Sequence, residues 1–202
     1  MKDRKKVLVI SYSQAGQTRQ AVESFLSGFQ RVNDVDVVRV ELEDQKRFSM
    51  PWGLFNFVKA MPEILQSVDR DTTTAAKMSF GTCALVVLAY PVWYLSPALP
   101  VTNFLDSLDD GILDGVPVIT ITTCRNMWVE AQRQMRAVVA KKGGRLMAHA
   151  VLVDRAPVYA SLITTPRFFL TGKKGFTSPF LRKVFPDFGI DQDDFSGLRI
   201  WG

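Results

Sequence analysis

The sequence predicts a doubly wound, three-layer α/β/α fold: a five-stranded parallel sheet of order 2-1-3-4-5 between two layers of helix, followed by a C-terminal extension. Apolar runs rich in β-branched residues recur at "KVLVISY" (6–12), "VDVVRVEL" (35–42), "CALVVLAY" (83–90), "VPVITITT" (116–123) and "RLMAHAVLV" (145–153). Three of them are near-continuous in apolar residues, the pattern of strands covered on both faces. Helical stripes alternate with these runs, and strand–helix alternation implies right-handed crossovers and hence parallel strands.

The stripes follow the chain in order. Ala21, Val22, Phe25, Leu26 and Phe29 share one helix face, as do Val101, Phe104, Leu105 and Leu108, and then Val129, Met135, Val138 and Val139. Gly111, Gly115 and the Gly143–Gly144 pair supply breaks after the later helices. Two segments exceed this minimum. Residues 44–70 are aromatic and long for one crossover, and 155–202 follow the last strand where one closing helix would suffice. With no repeats or flexible linkers, the chain reads as one domain, 1–202, with a core over about 5–154.

The composition narrows the function classes. The 202 residues are 47% hydrophobic and 22% charged, with a formal net charge of +5. The basic residues are dispersed, and no zinc spacing, basic helix or RNA-binding signature accompanies them, which argues against nucleic acid. No apolar run approaches the roughly 18 residues of a membrane span. Two cysteines, Cys83 and Cys124, sit in or beside apolar runs, which suggests a reducing compartment and a cytoplasmic location. One histidine, His149, argues against a histidine-rich metal site or a histidine-based triad.

The first strand runs into "SYSQAGQTR" and then a helix. In this topology ligands bind beyond the carboxyl ends of the strands where the order reverses. Backbone N–H groups at a helix N-terminus form an anion site; Ser13 and Thr18 add hydroxyl donors, and Gly16 lets the chain bend closely around the anion. The spacing is neither a Walker loop nor GxGxxG. A shell of neutral donors over Ser13, Gln14, Ala15, Gly16, Gln17 and Thr18 suits one terminal phosphate held without a metal.

"SQAGQT" resembles the phosphate loop of flavodoxins and flavodoxin-like FMN reductases, T/S-x-T-G-x-T, with Ser13, Gly16 and Thr18 matching and Ala15 replacing a usual hydroxyl. The resemblance implies FMN, with NAD(P)H as a candidate reductant. The third strand ends in "AYPVWYLSPALP", where Pro91 is expected to stop the strand and Trp93–Tyr94 to stand at its carboxyl edge. In such enzymes this loop lies against the isoalloxazine, which assigns Pro91, Val92, Trp93, Tyr94, Leu95 and Ser96 to the cofactor. The fourth strand ends in "TTCRNMW", where Thr123, Cys124, Arg125 and Asn126 correspond to contacts on the pyrimidine side. Arg125 would favour negative charge on a reduced flavin, and Tyr94 and Arg125 are the candidate catalytic residues for protonating or polarising a carbonyl.

"SYSQAGQTR", "LAYPVWYLSPALP", "TTCRNMW", "DRAPVYASLITTPRFFLTGKK" and "FPDFGI" together resemble a narrower flavodoxin-like group, the dialkylresorcinol condensing enzymes. In the pathway that names the group, separate ketosynthases join the acyl chains, so the resemblance implies aromatisation of a cyclic diketone. It implies a small lipophilic or quinone-like substrate, and relatives of this kind commonly form homodimers. Two other functions compete: a one-electron carrier, against which the basic charge argues, and a cofactor-free interaction module. The tail from 155 carries seven Lys or Arg against four Asp among many aromatics. In one reading "VYASLITTPRFFL" is the closing helix. In the other the tail and the 44–70 insertion wall an apolar cavity whose basic mouth meets an acidic carrier protein or an anionic membrane surface, and removal of 172–202 leaves the cofactor bound.

Overall fold

The computed structural model describes residues 4–42, 80–154 and 189–202, with 164, 167, 171, 176–178, 180 and 181. The 44–70 insertion, and all of the expected "VYASLITTPRFFL" helix except 164 and 167, lie outside the described residues. In chain order come β1 (Lys5–Tyr12), α1 (Gln17–Val32), β2 (Val35–Leu42), a 3-10 turn (Phe80–Thr82), β3 (Cys83–Trp93), β4 (Ser96–Pro97), α2 (Leu99–Ser107), β5 (Pro117–Cys124), α3 (Trp128–Lys141), β6 (Arg145–Val153) and α4 (Gln192–Trp201).

The long strands pair in parallel in the order β2-β1-β3-β5-β6, and β4 folds back antiparallel on β3. Without the two-residue β4 this is the order the sequence predicts. Alternation along β1 makes the two faces: Val7 and Val9 meet α1 and α4, whereas Leu8, Ile10 and Tyr12 meet α2 and α3. The middle of β3, Val86 to Tyr90, is fully buried, as befits the central strand of a sheet covered on both sides. Each such large apolar side chain contributes roughly 1.5–3 kcal/mol on burial.

Three details differ from the sequence reading. Pro91 does not stop β3, which continues to Trp93. Pairing with β1 ends at Ser11–Ala89, so the missing proline N–H costs no ladder bond there, and the Pro91 carbonyl accepts from the Ala98 N–H at 3.0 Å. On α3 the buried stripe is Ala131, Gln132, Met135 and Val139, while Val129 is exposed. Positions 129 and 135 are six apart, which places them on different helix faces. The third detail is a helix at Gln192–Trp201 that the sequence reading did not place. α4 packs along α1 and adds Phe195 and Leu198, with Ile190 before it, to the core on that face. Trp201 lies 5.5 Å from the Phe25 ring. The last helix is therefore part of the core layer, and removal of 172–202 is expected to unfold that layer instead of leaving cofactor binding intact.

A buried polar chain crosses the other face. The Tyr90 hydroxyl donates to Gln132 Oε1 at 2.9 Å, Gln132 Nε2 donates to Thr120 Oγ1 at 3.3 Å, and that oxygen lies 2.7 Å from His149 Nδ1. It spans β3, α3, β5 and β6 and fixes the azimuth of α3 on the sheet. Burial, with Arg136 nearby, pushes the His149 imidazole down to about 4.

Two outcomes follow from this packing. At Gly28 an added Cβ would lie 1.8 Å from the Arg199 carbonyl oxygen, so Gly28→Ala forces α1 and α4 apart. A loss of roughly 1–3 kcal/mol is expected in thermal or urea unfolding, and an unchanged transition contradicts the close approach. For His149, the folded value lies below the unfolded value of about 6.5, so the unfolded chain binds the proton first and stability falls as pH drops from about 6.5 towards 4. Urea midpoints at pH 7 and pH 5 should differ more for the natural chain than for His149→Gln; equal differences contradict a neutral buried imidazole.

Candidate functional site

The carboxyl end of β1 and the N-terminus of α1 build the first wall. Gly16 takes φ 84° at the N-cap, where no side chain caps the helix and no acidic residue occupies the first turn. The Ser13 hydroxyl oxygen accepts from the Arg19 N–H at 3.1 Å, which leaves its own proton to donate outward. Gln14 Nε2 is buried without an acceptor. The Arg19 guanidinium turns to Glu41, at 2.8 and 2.5 Å from Oε1. The loop thus offers uncharged donors, the Gln14 amide, the Ser13 hydroxyl and first-turn N–H groups, to an acceptor from outside the chain.

The Thr18 hydroxyl is buried against that of Thr123 on β5, 2.7 Å away, and ties the loop to the sheet.

The second wall is the β3–β4 hairpin. Val92 pairs with Pro97 and Trp93 with Ser96, leaving Tyr94 and Leu95 as the turn. Tyr94 takes φ 58°, a left-handed conformation that a bulky residue adopts at a cost of order 1–3 kcal/mol. Its ring is half-buried, and burial pushes its hydroxyl above the usual range, so the proton stays on at neutral pH. Leu95 is exposed, Ser96 is buried, and Pro91 and Val92 are half-buried behind them. Trp93 stands at the carboxyl end of β3, where it is covered. It is 5% exposed and meets Tyr12 edge-on, with ring centroids 5.6 Å apart, so it forms the floor between the β1 and β3 ends.

The third wall follows β5. Thr123 and Cys124 are buried, and the Cys124 thiol is pushed up to about 11 by burial and by the Asp154 charge, which keeps it protonated. Asn126 is exposed and its Oδ1 accepts from the Met127 N–H at 2.8 Å, with Met127 at φ 59°. Arg125 is held: Nε and Nη2 lie 3.1 and 3.0 Å from Asp154 Oδ2, and Nη1 donates to Thr164 Oγ1 at 3.3 Å. Asp154 was not among the sequence candidates. The register could have found it, because Cys124 pairs with Val153, and the next residues, Arg125 and Asp154, then stand side by side.

The three walls are mutually fastened. Thr18 joins Thr123, Tyr12 joins Trp93, and Pro91 lies opposite Thr123 in the sheet. Among the described residues no cluster of His, Cys, Asp and Glu could hold a metal ion, and no helix is long and apolar enough to cross a membrane.

Comparison with known proteins agrees with this architecture. A flavoprotein from Lactobacillus acidophilus solved in complex with FMN superposes with a TM-score of 0.54 at 18% identity, covering 73% of this chain and 93% of that one. An azoreductase from Bacillus anthracis gives 0.52 at 15% identity, covering 83% and 94%. A Streptococcus pneumoniae flavodoxin gives 0.51 at 11% identity, covering 96% and 92%. No curated protein sequence matches the chain. Identities this low establish the flavodoxin-like fold alone; the family rests on the sequence itself. Residues 5–157 match the NADPH-dependent FMN reductases, and the chain belongs to that family of FMN-dependent oxidoreductases.

Proposed function

We propose that the chain binds FMN with its phosphate at residues 13–18 and its ring between the 91–96 hairpin and residues 123–126, and that it transfers hydride between FMN and a small lipophilic cyclic substrate. The observation that carries the reading is the donor-only loop at Ser13–Thr18, with Gln14 Nε2 buried and lacking an acceptor. A phosphate supplies the missing acceptor, and the open space at Gly16, where no atom lies within 4 Å of an added Cβ, leaves room for it.

FMN supplies the two-electron chemistry when bound, and NAD(P)H is the reductant that the family description implies. The chain's own residues bind and orient. Ser13, Gln14 and the first-turn amides hold the phosphate, Trp93 and Tyr12 keep the hairpin at its height, and Tyr94 beside them is the candidate for polarising a substrate carbonyl. Leu95, Met127 and Val129 are exposed apolar side chains in and after these loops, which suits a lipophilic partner. β2 and β6 also end at this edge, and the chain beyond Leu42 and Val153 departs from there.

For the substrate we favour a quinone or a dialkyl cyclohexane-1,3-dione, on the resemblance of the five sequence phrases to the dialkylresorcinol group. Aromatising such a dione to a resorcinol removes two electrons and two protons, which FMN accepts. On the resemblance to FMN reductases, a homodimer is the assembly we favour.

Oxidised protein should quench FMN fluorescence on titration and bind FAD less well, because a pocket closed around a terminal phosphate leaves no room for an adenylate. Gly16→Val, a β-branched residue forced to φ 84°, should weaken FMN at least tenfold; full retention contradicts the phosphate assignment. In anaerobic mixing, quinones should reoxidise the reduced protein, or cyclohexane-1,3-diones should bleach the oxidised flavin. Rapid exchange with a cytochrome and none with either class would support the electron-carrier function, and a protein that takes up no flavin would be an interaction module.

A further inference from the structure

The buried pair at the ends of β5 and β6 serves no obvious packing need. Asp154 is 5% exposed; its Oδ2 accepts from Arg125 Nε at 3.1 Å and lies 3.0 Å from Nη2. Its backbone N–H also donates to the Cys124 carbonyl at 2.8 Å, which ties the two strand ends together at the point where the 123–126 loop begins. A charge pair drawn out of water at a strand end costs more than an apolar pair of the same volume, so stability alone is a weak reason for it. What the pair does control is charge. Arg125 lies in the loop assigned to the pyrimidine side of FMN, where an uncompensated guanidinium would favour the negative charge of reduced flavin.

We propose that Asp154 is a positioning residue of the cofactor site: it fixes the Arg125 guanidinium and cancels its charge, and so holds down the preference of the site for reduced over oxidised FMN. The proposal rests on the FMN reading given above. Arg125 therefore works with Asp154 as an ion pair at the site. Its third contact, Nη1 to Thr164 Oγ1 at 3.3 Å, carries the same guanidinium to a residue beyond β6, so one side chain links the cofactor loop, the end of β6 and the C-terminal extension.

The test compares midpoint potentials of FMN bound to the natural chain, Asp154→Asn, and the Arg125→Met/Asp154→Asn double variant, with FMN affinity measured alongside. Asp154→Asn keeps the shape and removes one negative charge from beside the guanidinium, so reduced FMN should gain about tenfold over oxidised FMN, a rise of about 30 mV for a two-electron couple. The double variant removes both charges and should return to the natural value, since the two substitutions act through one pair. Should Asp154→Asn fail to fold, the double variant, which removes both charges of the pair, carries the comparison against Arg125→Met, which keeps the Asp154 carboxylate and should lower the potential. An unchanged or lowered potential in Asp154→Asn, or the same rise persisting in the double variant, overturns the assignment. A natural chain that binds no FMN overturns the FMN reading itself, which the affinity measurement shows separately.

Discussion

Parallel pairing is the constraint on which the rest depends. Because β2, β1, β3, β5 and β6 all run the same way, each delivers its carboxyl end to one edge, and the loops leaving those ends must meet there. Parallel strands also need crossovers, and those crossovers cover both faces with helices, burying β3 throughout its middle. The rigidity of the site is a by-product of that burial. Three fastenings lock its walls together: the hydroxyl pair of Thr18 and Thr123, the edge-on rings of Tyr12 and Trp93, and the register of Pro91 with Thr123. Each joins residues far apart in sequence through the sheet, so the loops inherit the stability of the core.

Among the described residues, charges on and around the edge occur in pairs: Arg19 with Glu41, Arg39 with Glu23 and Arg125 with Asp154. The proposed phosphate site draws instead on helix N–H groups, a hydroxyl and an amide, which act at short range and are little screened by salt. Strained backbone gathers in the same place. Tyr94 and Met127 are the non-glycine residues at positive φ among the described residues, and they lie in the second and third walls. Such strain persists where surrounding structure over-determines it, which the fastened walls do.

Much of this was legible in the sequence, for a local reason. Strand runs, helix stripes and the breaks at Gly111, Gly115 and Gly143, all with positive φ, depend on neighbours a few residues away. What the sequence did not show was tertiary: Tyr12 edge-on to Trp93, Thr123 against Thr18, and Asp154 beside Arg125. Nor did the sequence reading place a helix at 192–201. Its signal was nonetheless present in "IDQDDFSGLRIWG": Asp191 accepts from the Asp193 N–H at 3.2 Å as the cap, Asp193 and Asp194 fill the first turn, and Phe195 and Leu198 follow at helical spacing.

The central claim is that a phosphate occupies the donor-only loop at the end of β1. A crystal structure of the protein grown with FMN tests it most directly. The account predicts phosphate oxygens within hydrogen-bond distance of Ser13 Oγ, Gln14 Nε2 and the first-turn amides of α1, with the Thr18–Thr123 contact intact. An FMN phosphate bound elsewhere, with Gln14 Nε2 still lacking an acceptor, would contradict it.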